Sequence, residues 1–147
     1  MAARIICVGN RQVQGDDFGP RVYDCLAALP VPMDVDIVDG GLAGLGLLPY
    51  LEDGRRVFFV DAVAGFTAPG RIVLLAADEV ARQCTSGFDH AAGLPYLLKV
   101  MPAVLDSPPP TVTVIGHEGA ACAQAVRTAA RLALHLATQS ADDACRA

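Results

Sequence analysis

The chain has 147 residues, the size of one domain, and at that length about two-thirds of the unfolded surface can be buried. Eleven Lys and Arg against sixteen Asp and Glu leave a net charge of -5 with no basic run, which argues against nucleic acid and anionic membrane surfaces as partners. Although 53% of the residues are hydrophobic, Pro, Gly or charge breaks every apolar run before the ~18 residues of a membrane span, so no membrane insertion is expected.

Met1-Ala2-Ala3-Arg4 leads straight toward a strand without the pattern of a targeting segment. The five cysteines are odd in number and include no C-x-x-C pair, so neither a disulfide framework nor a zinc knuckle is indicated and a reducing cytoplasm is expected. Cys7 and Cys122 sit in apolar sequence and read as small core residues.

The first strand is expected at about Arg4 to Gly9, where the apolar run Ile5-Ile6-Cys7-Val8 empties into a loop bounded by Gly9 and Gly15. Strand, Gly-bounded loop and helix form the opening unit of an α/β sheet, in which ligands gather at the carboxyl ends of strands. The loop carries two adjacent carboxylates, Asp16 and Asp17. Either is a candidate ligand or base, and either can cap the helix that follows. A dinucleotide loop fits poorly, because G-x-G-x-x-G is absent and two carboxylates repel a pyrophosphate. The first helix is expected from Phe18 to Leu29, with Val22, Cys25, Leu26 and Leu29 on its inner face and Pro30 and Pro32 as its stop.

Val35 to Asp39 alternates like a strand and exits through Asp39-Gly40-Gly41. A helix is expected from Leu42 to Leu51, ended by Glu52-Asp53-Gly54. Gly40 and Gly41 serve the turn, or leave backbone bare enough to admit a substrate segment. Val57 to Val63 is the continuous apolar run of a parallel strand covered on both faces. Asp61 interrupts it. A charge there is costly unless it binds a cation or several donors; the alternative is an Asp capping the loop before Gly65.

From Val63 the connection to Arg71-Ile72-Val73-Leu74-Leu75 is too short for a crossover helix, so this strand should pair antiparallel at or near an edge. Asp78-Glu79 start a helical turn, and residues 85–89 read as a loop. His90 stands at the mouth of a helix whose inner face is Leu94, Leu97, Leu98 and Met101, with Pro95 tolerated in its first turn. The last strand is Thr111 to Gly116. His117 and Glu118 then either start a helix, with Glu in the first turn, or line a substrate cleft. The final helix, about Gly119 to Ala137, should bury Cys122, Val126, Ala129, Ala133 and Leu136. Residues 1–140 read as one domain and 141–147 as a frayed tail.

If the strand order begins 2-1-3, strands one and three flank the topological switch point, and Asp16 or Asp17 faces Asp61 across the crevice with His90 at its rim. Two carboxylates and an imidazole suit a divalent transition ion, favouring nickel, copper or zinc over magnesium. An open site of that kind polarises a carbonyl or activates a water.

Three segments together carry a resemblance. They are G-N-x-x-x-x-x-D-x-x-G-P from Gly9 to Pro20, D-G-G-x-A-G from Asp39 to Gly44, and V-D-A from Val60 to Ala62, followed by the His90 helix. In order and spacing they resemble the hydrogenase maturation proteases, nickel-dependent endopeptidases that finish the large subunit of NiFe-hydrogenases. The resemblance implies a single three-layer α/β domain, phosphorylase/hydrolase-like. Its sheet is a twisted, mostly parallel one of five strands, one antiparallel, with helices on both faces and a flavodoxin-like strand order near the site. It implies that a short C-terminal extension is removed from the large-subunit precursor after nickel insertion, the bound nickel being the recognition signal. The metal-contacting and catalytic trio falls on Asp16, Asp61 and His90. Nickel is expected to arrive with the substrate, and zinc or cadmium are able to take its place in vitro.

The family loop usually reads D-D-G-x-G or D-E-x-x-G, whereas Gly15-Asp16-Asp17-Phe18-Gly19 shifts the pair by one residue. Counting from Gly9-Asn10 or from Gly19-Pro20 selects Asp16; aligning the Asp pair selects Asp17. Gly40, Gly41, His117 and Glu118 are the expected substrate-binding residues. The rival reading is a non-catalytic docking or chaperone module that recognises nickel in the same precursor without cutting it.

Overall fold

In the structure, a computed structural model that describes residues 3–84 and 93–139, five strands form one sheet in the order β2-β1-β3-β5-β4. The strands are β1 (Ala3–Val8), β2 (Val35–Gly41), β3 (Arg56–Val63), β4 (Ile72–Ala76) and β5 (Val112–Glu118). β1 pairs parallel with β2 and β3, β3 pairs parallel with β5, and β4 runs antiparallel to β5 along one edge. The short β3–β4 connection forces that reversal, as its length requires.

Period-two alternation sorts the strand residues to two faces. Ile5, Cys7, Phe58, Val60 and Ile115 face α1 (Phe18–Ala27) and α4 (Ala123–Thr138), which contribute Phe18, Val22, Leu26, Val126, Ala129 and Ala133. Ile6, Val8, Val57, Phe59 and Val114 face the other layer. That layer consists of a 3-10 helix (Leu45–Leu51), α2 (Ala77–Ala81) and α3 (Leu94–Val104). Leu94, Leu97, Leu98 and Met101 of α3 are all buried there, and Pro95 lies in the first turn of the helix.

Three expectations are corrected. The stretch expected as a helix from Leu42 is a 3-10 helix that starts only at Leu45; Gly44, Gly46 and Pro49 deprive an α-helix of propensity and of a backbone donor. β5 does not stop at Gly116 but runs on through His117 and Glu118, which pair with Ala62 and Val63 of β3. Gly116 is inside the strand because its missing Cβ makes room for the Val63 side chain. Accordingly α4 starts at Ala123, and Cys122 is its exposed N-cap rather than a core residue, its Sγ accepting from Ala125 N–H. The expected loop at 85–89, His90 and the tail from 141 lie outside the described residues.

Where α1 meets the sheet, Gly19 is the closest approach. A Cβ there would overlap the carbonyl oxygen of Val8, at the end of β1, and lie 2.7 Å from that of Val60, inside β3. Only glycine lets the first turn of α1 sit on β1 and β3 together. Gly19→Ala should therefore destabilise by on the order of 3 kcal/mol or more. Gly46→Ala, where nothing lies within 4 Å of the added carbon, should change stability by less than about 1 kcal/mol. Urea unfolding midpoints of the two variants check the contrast.

Candidate functional site

The loop between β1 and α1 folds back on itself to place Asp16. Asn10 N–H donates both to the main-chain oxygen of Asp16 (2.9 Å) and to its Oδ2 (3.1 Å), and Asp16 N–H donates to Val13 O (3.0 Å). Outside the loop, Arg11 forks onto Asp24 of α1 at 2.8 and 3.0 Å and reaches Asp39 of β2 at 3.1 Å. Asp39, the acid of D-G-G-x-A-G, thus helps anchor the loop that carries Asp16.

Asp61 comes to the same place from β3. Its register partner in β5 is Gly116, and Cys7 of β1 pairs with Val60, the residue before it. Asp16 and Asp61 line two adjoining cavities, of about 320 Å³ and about 80 Å³. The larger is completed by Gly15, Ala62, Val63, Ala64, Val80, Gln83 and Pro95. The smaller is closed by Val8, Gly9, Leu42, Ala43, Gly93 and Leu94. Asp17 lines neither. It occupies the N-cap position of α1 without a side-chain cap bond, its carbonyl accepting Arg21 N–H at 3.1 Å.

Asp61 keeps some exposure through the cavity, but protein atoms crowd it elsewhere. Burial and then the charge of Asp16 push its carboxyl well above the usual carboxylate range, against a smaller opposing effect of Ala62 N–H. A cation between the two carboxylates relieves both effects. Among the described residues no group of three or more His, Cys, Asp or Glu is gathered closely enough to hold a metal; the expected third member, His90, lies outside them.

The remaining expected residues support the crevice rather than line it. A Cβ on Gly40 would come within 2.8 Å of the Ile6 and Val8 side chains, and Gly41, at φ +59°, accepts Gly9 N–H at 2.7 Å. Ala43 two residues on is also left-handed, at φ +56°, and stands in the wall of the smaller cavity. Such a conformation costs a non-glycine residue roughly 1 kcal/mol and gathers at functional sites. His117 lies on the α1 face of the sheet, away from Asp61. It is 1% exposed and stacks on Phe18 at 4.9 Å, with no partner for Nδ1 among the described residues. Glu118 Oε1 accepts Phe66 N–H at 2.9 Å and Thr67 N–H at 3.3 Å, holding the loop that leaves β3 just after Asp61.

Cysteine chemistry lies elsewhere. Cys7 is buried beneath the sheet, and burial, followed by the charges of Asp39 and Asp24, pushes its thiol well up. Cys122, whose thiol is lowered mainly by Ala125 N–H, is on the outer end of α4. A wider cavity of about 440 Å³ between α2 and α3 contains the Asp78–Arg82 ion pair and no strand-end residue. Gln83, Ala64, Val80 and Gly93 are the lining residues that sequence reasoning had not singled out.

A mostly parallel sheet whose order turns outward at β1 and β3, with two carboxylates in the crevice between those strands, defines an α/β protein with an acidic crevice at the topological switch point. Its lineage is equally definite. The chain belongs to the hydrogenase maturation protease family, whose profile matches residues 20–138. It is 38% identical over 79 residues to the hydrogenase expression/formation protein HupD of Bradyrhizobium diazoefficiens, covering 53% of this chain and 41% of that protein. It is 29% identical over 104 residues to the hydrogenase 2 maturation protease of Escherichia coli, covering 69% of this chain and 63% of that protein. The chain spans about two fifths of the length of the HupD proteins it matches. Among solved structures, the hydrogenase maturating endopeptidase HybD from E. coli shares the fold with a TM-score of 0.73 at 24% identity, over 92% of this chain and 91% of that one. A hydrogenase 2 maturation peptidase from a Thaumarchaeota archaeon aligns with a TM-score of 0.56 at 30% identity, over 92% and 95%. No described helix is long and apolar enough to cross a membrane.

The raised Asp61 carboxyl makes a stability prediction with a definite sign. The folded state holds this proton more tightly than the unfolded chain, so stability falls as pH rises from the ordinary carboxylate range through the folded-state value. Asp61→Asn should raise Tm near neutral pH, each kcal/mol gained appearing as roughly 2–4 °C, and the gain should vanish toward about pH 4. Calorimetric melts of both proteins across that range check it.

Proposed function

We propose that this protein is an endopeptidase that removes the C-terminal extension of a NiFe-hydrogenase large-subunit precursor once nickel has been inserted, in the cytoplasm, with the substrate's nickel as the recognition signal. The observation that carries the reading is the meeting of Asp16 and Asp61 in one cavity at the switch point. Two oxygen donors that repel each other, one of them half-buried, form a site that a divalent ion stabilises. His90 is the proposed imidazole partner. The ion belongs to the precursor, so cutting is tied to a finished metal centre.

Water is the proposed nucleophile. The described cavity walls hold no Ser–His or Cys–His pair, so an acyl-enzyme has no activated side chain to form on. A carboxylate at the crevice, or His90, takes the water's proton as it attacks the peptide carbonyl and returns it to the departing amine as the C–N bond breaks. The precursor's nickel, seated against Asp16 and Asp61, polarises the reacting group. Asp17, at the N-cap position of α1 and outside both cavities, has no part in the step.

The test is to incubate the protein with nickel-loaded and nickel-free precursor and follow truncation by mass. Only the nickel-loaded form should be shortened. Asp16→Asn and Asp61→Asn should each slow truncation by at least ~100-fold, whereas Asp17→Asn should stay within about fivefold of wild type. Tight binding without truncation across several nickel-loaded precursors would replace the protease reading with that of a docking module.

A further inference from the structure

The described wall of the larger cavity offers a single neutral polar side chain, Gln83, beside the carboxylates Asp16 and Asp61. Gln83 stands just past the end of α2, and its Nε2 donates to the carbonyl oxygen of Ala64 at 2.6 Å. Ala64 is three residues beyond Asp61, in the loop that Glu118 fastens from the opposite side. The bond to Ala64 spends a donor of the carboxamide and orients the group, leaving Oε1 as an acceptor.

A peptide lying across this cavity meets mostly apolar wall, formed by Ala62, Val63, Ala64, Val80 and Pro95. Its carbonyl groups can face solvent or a metal, but an N–H turned inward requires an acceptor. With Asp16 and Asp61 engaged by the cation, Gln83 Oε1 is the side-chain acceptor that remains among the described wall residues. We propose that Gln83 is a substrate-positioning residue whose Oε1 accepts a backbone N–H of the precursor segment next to the scissile bond. This rests on the protease reading of the same crevice. It also sets a requirement on the substrate: the residue at that position has an N–H, so proline is rejected there.

Processing kinetics and equilibrium binding of one nickel-loaded precursor, measured with wild type, Gln83→Leu and Gln83→Glu, test the assignment. Leu removes both ends of the carboxamide at similar volume; Glu keeps an acceptor oxygen but loses the donor to Ala64. Gln83 is exposed, so both variants should fold. Gln83→Leu should raise KM and Kd about tenfold with kcat within about twofold, the mark of uniform binding lost, and Gln83→Glu should recover most of that loss. Equal losses in the two variants would reduce Gln83 to a tie for the loop, and an unchanged Kd in Gln83→Leu would remove it from the substrate path; either overturns the proposal. Should wild type bind the precursor without cutting it, the protease reading falls while the Kd series still decides the role of Gln83. Absence of both binding and cutting overturns the two together.

Discussion

The seating of the first turn of α1 on the carbonyl oxygens of Val8 and Val60 is the constraint from which the site follows. It wedges a helix N-terminus between the ends of β1 and β3, where the sheet order turns outward, and so fixes where the preceding loop must finish. Asn10 and Val13 then close the loop by hydrogen bonds to Asp16, and Asp61 arrives from β3 because Val60 is already held by the same helix turn. The distance between the carboxylates is thereby set by backbone packing rather than by flexible side chains.

The two acids meet unlike surroundings. Asp16 lies beside the N-terminus of a ten-residue helix, whose unpaired N–H groups favour negative charge. Asp61 sits inside β3, two residues before the strand stops, with Ala62 N–H as a small compensation against burial and the neighbouring charge. Such an asymmetric pair is held at a cost to stability, and the left-handed Ala43 in the same wall adds to that cost. Arg11 does not neutralise the crevice, because Asp24 and Asp39 occupy its guanidinium on the outer side of the loop.

Most of the fold was legible in the sequence, because its strands are short apolar or alternating runs between Gly, Pro and charged breaks and its long helices keep a clean apolar face. Asp61 was legible for the same reason, as a charge inside a run that otherwise had none. Counting from Gly9-Asn10 or from Gly19-Pro20 pointed to Asp16 and aligning the Asp pair to Asp17, and the cavities contain Asp16 rather than Asp17. Gln83 was invisible, since a polar residue after a short helix has no local pattern and its importance arises from a tertiary bond to Ala64. His117 and Glu118 were misplaced after the strand because Gly116 looked like an ending, whereas it marks the spot where Val63 packs across. The 3-10 helix shows the same limit: an apolar stretch says that a segment is buried without saying how tightly it coils.

Arg56 opens β3 at the amino edge of the sheet, and its guanidinium donates to the carbonyl oxygens of Leu136, Ala137 and Gln139 at the last turn of α4. The carboxyl end of that helix is thereby locked to the edge of the sheet opposite Asp16 and Asp61. An affinity handle or fluorophore attached beyond Gln139 therefore starts from the far side of the molecule. For surface immobilisation, that anchoring leaves the acidic crevice turned toward an incoming partner as large as a folded protein.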